Sequence, residues 1–467
     1  MQSPLMPSFT RRRSLLLGTL GAIGSLALTA CGGGDDDTPR WRMPAETEPQ
    51  RAVMLASLGY DYIEGWSTLD VQADMVAEIL QHVRVVYLVN TTAQDDPQNN
   101  EVEPLTQALL VRGVPPSLIA ARLQFLKVDH AEFWVRDYGG TFLSDGAGGL
   151  QVVDFDFDGY GYNAFAGPST REVYEHDNDL AERVAQAIGL PSVRSPIVCE
   201  GGNLHFNGRG LVLAVAGRSD LPGVGMLGRN PGHTQAELER EVLRVLGQKK
   251  MIWLPRNMPT DSHTVMQTPH TIAGEPVYNV GVTHIDEMVA WVDESTLLLP
   301  EVTAEELAAA DAAGDAVTRI AHEVLAEAYA ILSAATDQDG RPLRVVRVPE
   351  PGPIVVEIGP DDAAWQMVAD MDQHPVHRLR GAERFANGER VKYLLPASYM
   401  NFLVTDGLVL VPKFYKAGRD PSLLSKDEAF RQTIASAYPG RRVVQIDVDA
   451  VLAGGGGMHC ISQQIPA

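Results

Sequence analysis

The sequence predicts an α/β fold of about five ββαβ-like units closed in a ring. Three observations predict it. Hairpin turns flanked by apolar runs recur along the chain, a helical stretch and another apolar strand follow most hairpins, and each copy carries polar residues at a matching place. At 467 residues, 45% hydrophobic and 21% charged, the chain has globular composition and can bury a large core.

The first unit reads as strand 52–57, helix 70–82 and strand 84–89. The next copy runs from Phe133-Trp134-Val135-Arg136-Asp137-Tyr138 through the turn Ser144-Asp145-Gly146 to Leu150–Val153. Another runs from Val198-Cys199-Glu200-Gly201-Gly202-Asn203 through Asn207-Gly208 to Leu211–Val215. A further copy holds Gly281–Val289, the turn Val292–Ser295 and Leu297–Leu299, and the last holds Ser398–Val404, Thr405-Asp406-Gly407 and Leu408–Val411. Asn-Gly and Asp-Gly between apolar runs favour tight hairpins, because both residues tolerate positive φ. Helices are expected over 174–188 and over 235–246, the latter capped by Thr234. The strands 251–254, 344–348 and 442–446 follow helical stretches. An α/β sandwich with unrelated hairpins is the alternative architecture. Residues 302–340 read as a helical insertion placed to cover the ring's mouth, and 361–390 as an irregular one.

The N-terminus has a different character. Arg11, Arg12 and Arg13 precede an apolar stretch from Leu15 to Ala30, the pattern of an export signal. Arg12-Arg13-Ser14-Leu15-Leu16 resembles a twin-arginine signal, and Leu28-Thr29-Ala30-Cys31 resembles a bacterial lipobox. The expectation is an export signal over 1–31 with Cys31 lipidated, a solvated tether over 32–40, and one catalytic domain over 41–467 on the periplasmic or cell-envelope face. A net charge of −22 disfavours nucleic acid and anionic membrane surfaces as partners, so membrane contact is expected through the lipid alone. Besides Cys31 there are Cys199 and Cys460; two cysteines make no disulfide framework, although one disulfide between them is permitted.

The polar inserts place Asp137, Glu200, His284 with Asp286, and Asn401 at corresponding points of the copies. The C-terminal run Gly454–Gly457, Met458, His459, Cys460 adds a thiol behind four glycines, which let backbone approach closely. His284-Ile285-Asp286 on a strand would put His and Asp on one face. Each residue alone has a bland reading: a buried thiol, a satisfied histidine, a turn acid. Together they suit a guanidinium group. Two carboxylates accept its paired N–H donors, a thiolate attacks its central carbon, and a histidine hands the departing nitrogen a proton.

Six motifs in order, Met43–Pro49, Trp134–Gly139, Glu200–Asn203, His284–Asp286, Ser398–Phe402 and Gly456–Gln464, resemble the agmatine deiminase and Porphyromonas-type peptidylarginine deiminase family. The resemblance implies the pentein fold, a five-bladed α/β propeller, and a cofactor-free and metal-free hydrolase that releases ammonia through a covalent thiol adduct. It implies Cys460 as nucleophile, His284 as general acid/base and Glu200 as the acid beside it. It also implies Asp137 and Asp286 as guanidinium-binding carboxylates, Asn401 as a site-lining amide and Trp134 as a stacking residue. Two departures touch loop shape. Gly281 is displaced from its usual place before His284, and Gly140 stands where a proline is usual.

Export favours peptidyl or protein arginine, converted to citrulline, as the substrate. The alternative is agmatine, giving N-carbamoylputrescine on the way to putrescine. No Lys or Arg lies between Tyr138 and Thr170, whereas Asp154, Asp156 and Asp158 do, which suits a cationic tail or an internal arginine over a free carboxylate. Two readings of other classes stand beside the deiminase. One is a non-catalytic guanidinium- or polyamine-binding lipoprotein, which a Cys199–Cys460 disulfide would support. The other is a metal hydrolase using His284, Asp286, His459 and Cys460, weakened if His459 and Cys460 point to opposite faces of a strand.

Overall fold

Short hairpins form where the turn sequences demand them. Thr141–Ser144 pairs antiparallel with Leu150–Asp156, which pairs parallel with Ser192–Val198. The same arrangement recurs in His205–Phe206, Leu211–Val215 and Lys250–Leu254. It recurs again in Ala290–Trp291, Thr296–Glu301 and Arg344–Pro349, and in Leu403–Thr405, Leu408–Lys413 and Arg442–Asp447. In the remaining unit the chain's end supplies the antiparallel partner: Gln463–Pro466 pairs with Gln50–Ala56, which pairs parallel with Arg84–Val89 and onward to Leu123–Lys127. Period-2 patterning is weak in the central strands because both faces are covered; Leu211–Val215 is buried throughout.

This computed structural model describes residues 41–90, 101–162, 175–220, 224–262, 269–372 and 388–467. The expected export signal, Cys31 and the tether lie outside the described residues. Residues 39–467 make one compact unit, and no helix among the described residues is long and apolar enough to cross a membrane.

The expected closed five-bladed propeller is not found. The described strands form seven separate sheets of two to four strands, and none is closed on itself or curled into a barrel or propeller. The repeat is legible in the hydrogen bonding, but each unit ends on an edge strand that makes no ladder to the next. The architecture is an α/β fold of small mixed sheets. The helix over Gln235–Val245 starts at Thr234, whose hydroxyl and Glu237 form a reciprocal capping box, as its sequence predicts. The helix expected from 174 occupies Leu180–Ile188.

None of residues 302–340 lines the pocket beside Cys460. Their helices, Ala304–Ala313 and Ala316–Ala334, bury Val324, Leu325 and Leu332 in an apolar cluster with Leu297 and Leu299. The segment that does reach the site is the helix Ala363–Asp372, in the stretch expected to be irregular. Its start is tied to Tyr62 and Glu64 by the bonds Ala364 N to Tyr62 O (2.9 Å) and Glu64 N to Asp362 Oδ1 (3.0 Å).

Candidate active site

The polar inserts are tight turns, not strand interiors. Val135–Tyr138 is one helical turn, Gly201–Asn203 and Ile285–Glu287 are single 3-10 turns, and His459-Cys460 lies in a turn before Gln463–Pro466. The expectation that His284 and Asp286 share a strand face therefore fails, as does the opposition of His459 and Cys460 across a strand. Turns let consecutive side chains converge where a strand would separate them. His459 Nδ1 and Cys460 Sγ both approach Asp286 Oδ2, at 2.7 and 3.6 Å.

Cys460, His284, Glu200, Asp137, Asp286, Asn401 and Trp134 are all buried in one region. Asn401 Nδ2 donates to Cys460 Sγ (3.0 Å) and to Glu287 Oε1 (2.8 Å), while its Oδ1 accepts from His459 N (2.9 Å). Asp137 accepts from Gly202 N (3.0 Å) and from the Tyr160 hydroxyl (2.9 Å). His284 lies between two carboxylates, Nδ1 3.6 Å from Asp137 Oδ1 and Nε2 3.5 Å from Glu200 Oε2. Both contacts are too long for hydrogen bonds, and both ring nitrogens lack a hydrogen-bond partner among the described residues. Glu200 is held on its other oxygen by the buried Arg229.

Gly202 shows how tightly these groups converge. A Cβ there would stand 2.6 Å from both Asp137 Oδ1 and His284 Nδ1, and 3.2 Å from Asp286 Oδ2. At Gly456 a Cβ would stand 2.8 Å from the Trp134 ring and 2.9 Å from Cys460 Sγ. The displaced glycine before His284 also has an account. Thr283 adopts φ +70°, a conformation glycine takes freely, and Asp261 holds this strap by accepting from Val282 N (2.7 Å) and His284 N (2.8 Å).

Burial sets the protonation states. It pushes Asp137 up to about 7, helped by the charge on Asp286 and opposed by Tyr160 and Gly202. It pushes His284 down to about 3, so the resting imidazole is neutral. It raises the Cys460 thiol well above its ordinary value, with Asp286, Glu287 and Asp137 adding to the effect. Asp286 is the exception. Burial raises it, but the hydrogen bond and charge of His459 outweigh burial and hold it ionised.

Cys460 and Asp137 border a narrow pocket. Its lining includes Cys460, Asp137, Trp134, Tyr62 and Glu132 and, among the described residues, no lysine or arginine.

The profile of the Porphyromonas-type peptidyl-arginine deiminases matches residues 42–466. The chain belongs to that family. Two relatives, from Streptomyces avermitilis and Streptomyces coelicolor, are each 31% identical, over 75% of this chain and 79% of the relative and over 78% and 85% respectively; both are provisionally named agmatine deiminase. The agmatine deiminase of Enterococcus faecalis shares the fold, with TM-score 0.65 at 21% identity over 92% of this chain and 97% of that one. So does an arginine deiminase, provisionally named, from Porphyromonas gingivalis, at TM-score 0.59 and 22% identity over 91% and 98%. As a member of this deiminase family the chain is a hydrolase acting on guanidinium or amidine groups.

For a deiminase of this kind, several contacts escape sequence reasoning. Asp154 and Asp156 share one guanidinium, Arg194, each at 2.6 Å, and Asp158 is paired with Arg229 at 3.1 Å. Glu46 reaches His459 Nε2 (2.7 Å) and Arg136 Nη1 (3.4 Å), although it stands more than 400 positions before Cys460. Its place in the Met43–Pro49 motif was the available signal. Cys199 and Cys460 are free buried thiols, not a disulfide.

Proposed function

We propose that the chain deiminates agmatine, converting its guanidinium to a ureido group with loss of ammonia, through a covalent adduct on Cys460. One observation carries the choice of substrate. Among the described residues the pocket beside Cys460 is lined by two carboxylates and by no lysine or arginine, which suits a small molecule with a cationic tail over a free carboxylate. The provisional names of the 31%-identical relatives point the same way. Asp154, Asp156 and Asp158, which would suit agmatine's tail and an internal arginine alike, are paired with Arg194 and Arg229 and favour neither substrate over the other.

The chemistry follows from the electrostatics. Asp137 and Asp286 take the N–H donors of the planar cation and fix it beside Cys460. The bound positive charge offsets the carboxylates that hold the thiol protonated, so the thiolate forms when substrate arrives. Sulfur adds to the guanidinium carbon. Neutral His284, flanked by Asp137 and Glu200, takes up the proton the thiol gives up and delivers it to the departing nitrogen, which leaves as ammonia. The same imidazole then draws a proton from water, the hydroxyl adds to carbon, the C–S bond breaks and the ureido product is released. Export and lipidation at Cys31 belong to the same reading, supported by the Arg11–Cys31 sequence.

The test incubates the reduced full chain separately with agmatine, an internal-arginine peptide, a C-terminal-arginine peptide and free arginine, scoring ureido product and ammonia. Turnover of agmatine alone, absent in Cys460→Ala, is expected. Turnover of the peptides in preference to agmatine overturns the substrate assignment, and no turnover of any of them overturns the enzyme reading for these substrates.

A further inference from the structure

Several buried carboxylates around the site are paired with cations, Glu46 with Arg136 and His459, Asp286 with His459, Glu200 with Arg229, while Glu287 and Asp261 accept from Asn401 and from backbone N–H groups and do not line the pocket. Burying an unpaired carboxylate is costly, so unpaired ones call for a reason. Two carboxylates line the pocket, Asp137 and Glu132. Among the described residues neither forms an ion pair with a lysine or arginine. Asp137 has its reason in the guanidinium. Glu132 has none in the mechanism above.

Glu132 stands two residues before Trp134, in the segment that leads into the helical turn carrying Asp137, and only 9% of its surface is exposed. Its carboxylate accepts from the Tyr62 hydroxyl (2.9 Å) and from the Tyr60 hydroxyl. Asp177 fixes the backbone beneath it, accepting from Ala131 N (2.9 Å) and Glu132 N (3.0 Å). A Cβ at Gly454 would overlap the Tyr62 ring, so the glycine run that presents Cys460 also lets Tyr62 close the pocket wall. The carboxylate is held by the buried Tyr62 and the exposed Tyr60 and keeps lone pairs for a further donor. Tyr62 and Trp134, with ring centroids 6.3 Å apart, give the same pocket an apolar wall.

We propose that Glu132, positioned by Tyr60 and Tyr62, is the subsite for the ammonium end of the substrate's alkyl tail. The pocket then matches a dication, with the guanidinium on Asp137 and Asp286, the methylenes along Trp134 and Tyr62, and the primary amine on Glu132. A tail ending in a carboxylate meets repulsion there, and a neutral tail leaves the buried acid unpaired. Burial brings Glu132 up to about 7 in the empty pocket, so amine binding at neutral pH releases part of a proton. The inference rests on the guanidine-deiminase reading but is tested by binding, apart from turnover.

The full chain carrying Cys460→Ala is titrated by calorimetry with agmatine and with n-butylguanidine, which has the same guanidinium and a tail without the amine. Agmatine is expected to bind at least ~10-fold more tightly, the scale of one charge-assisted hydrogen bond. Adding Glu132→Gln should collapse that ratio to near one and leave n-butylguanidine binding unchanged, and Glu132→Asp should restore part of it. Equal binding of the two ligands by the Cys460→Ala parent overturns the proposal without recourse to any Glu132 variant, which covers the case where Glu132→Gln misfolds. An equal loss for both ligands in Glu132→Gln overturns it too, as does absence of agmatine binding. Turnover by the intact chain separates the two readings. Selective agmatine binding without turnover keeps the subsite and sinks the deiminase chemistry, while equal turnover of both guanidines does the reverse.

Discussion

His459 Nδ1 stands 2.7 Å from Asp286 Oδ2, and the other ring nitrogen stands 2.7 Å from Glu46 Oε1. A carboxylate on each nitrogen makes this ring an imidazolium. Burial and Arg136 pull its pKa down, yet Glu46 and Asp286 raise it above the ordinary 6.5. The residue beside Cys460 therefore supplies the charge that keeps Asp286 ionised. In His459→Gln, Asp286 loses that partner inside a buried site, and removing one partner of a buried pair costs ~3–5 kcal/mol. The expected outcome is a lower melting temperature and a rise in KM for the guanidine larger than the fall in kcat. An unchanged KM would mean that Asp286 does not depend on His459.

The same pair sets part of the stability profile. The raised His459 contributes stability that is fully present below pH 6.5 and is lost as pH climbs through its higher folded value. The depressed Asp286 contributes stability present above 3.8 and lost as pH falls through its lower folded value. Asp137 acts with the opposite sign from Asp286. Its folded pKa of about 7 favours the folded state at low pH, and that contribution is lost as pH rises from 3.8 through 7. Thermal melts should therefore show wild type losing more stability than Asp137→Asn between pH 4 and pH 8.

Turnover should follow Asp137 in the other direction. The free enzyme must have this carboxyl ionised to bind a guanidinium, and below about 7 it is increasingly protonated. Asp286, His284, Arg136 and Tyr160 surround it. Of these, Asp286 and His284 titrate well below 7 or are already neutral there, so they do not hide the step. Glu132 also stands at about 7, so the test uses n-butylguanidine, whose tail makes no demand on it: a plot of kcat/KM against pH should fall on the acid side of 7 with a slope approaching ~10-fold per unit, since kcat/KM reports the free enzyme's groups. A flat profile between pH 5 and 7 would show that Asp137 is ionised throughout.

Much of the site was legible because its motifs are local. Asp137, Glu200, His284, Asp286, Asn401 and Cys460 each sit in a short polar insert between apolar runs, and the inserts do converge. Three things were not legible. Period-2 reasoning treated the inserts as strands, so His459 was sent away from Cys460 when a turn brings both to Asp286. Pairings across the chain, Arg194 with Asp154 and Asp156 or Arg229 with Glu200, leave no trace in local sequence. Closure was inferred from repetition, but repetition fixes each unit's strand pairing and says nothing of ladders between units, which the sheets lack.

Two glycines test the packing of the reacting groups directly. Gly202→Ala puts a methyl 2.6 Å from both Asp137 Oδ1 and His284 Nδ1, and these three groups cannot all keep their places. Gly456→Ala puts one 2.9 Å from Cys460 Sγ and 2.8 Å from the Trp134 ring. Overpacking of this kind costs ~1–3 kcal/mol. Gly202→Ala is expected to remove turnover and weaken guanidine binding together. Gly456→Ala should reduce the rate at which a soluble alkylating reagent modifies Cys460. Full activity in either variant would show that the site relaxes around an added methyl.

Asp286, Glu287 and Cys460 offer ligand atoms within 4.8 Å of one another, so a metal-dependent hydrolase needs its own test. Three features weigh against a working ion there. Asn401 Nδ2 donates to both Glu287 and Cys460, filling the space a cation would take. His459, the obvious fourth ligand, has both nitrogens committed to carboxylates. Glu287 is driven well above the ordinary carboxylate range by burial and by Asp286, Asp261 and Asp137, which favours its protonated form over the free carboxylate a metal needs. Dialysis against a strong chelator should leave turnover unchanged, and added zinc should inhibit by capturing the thiol with Asp286. Activity that vanishes on chelation and returns with one particular metal would replace thiol attack by metal-activated water as the chemistry of this pocket.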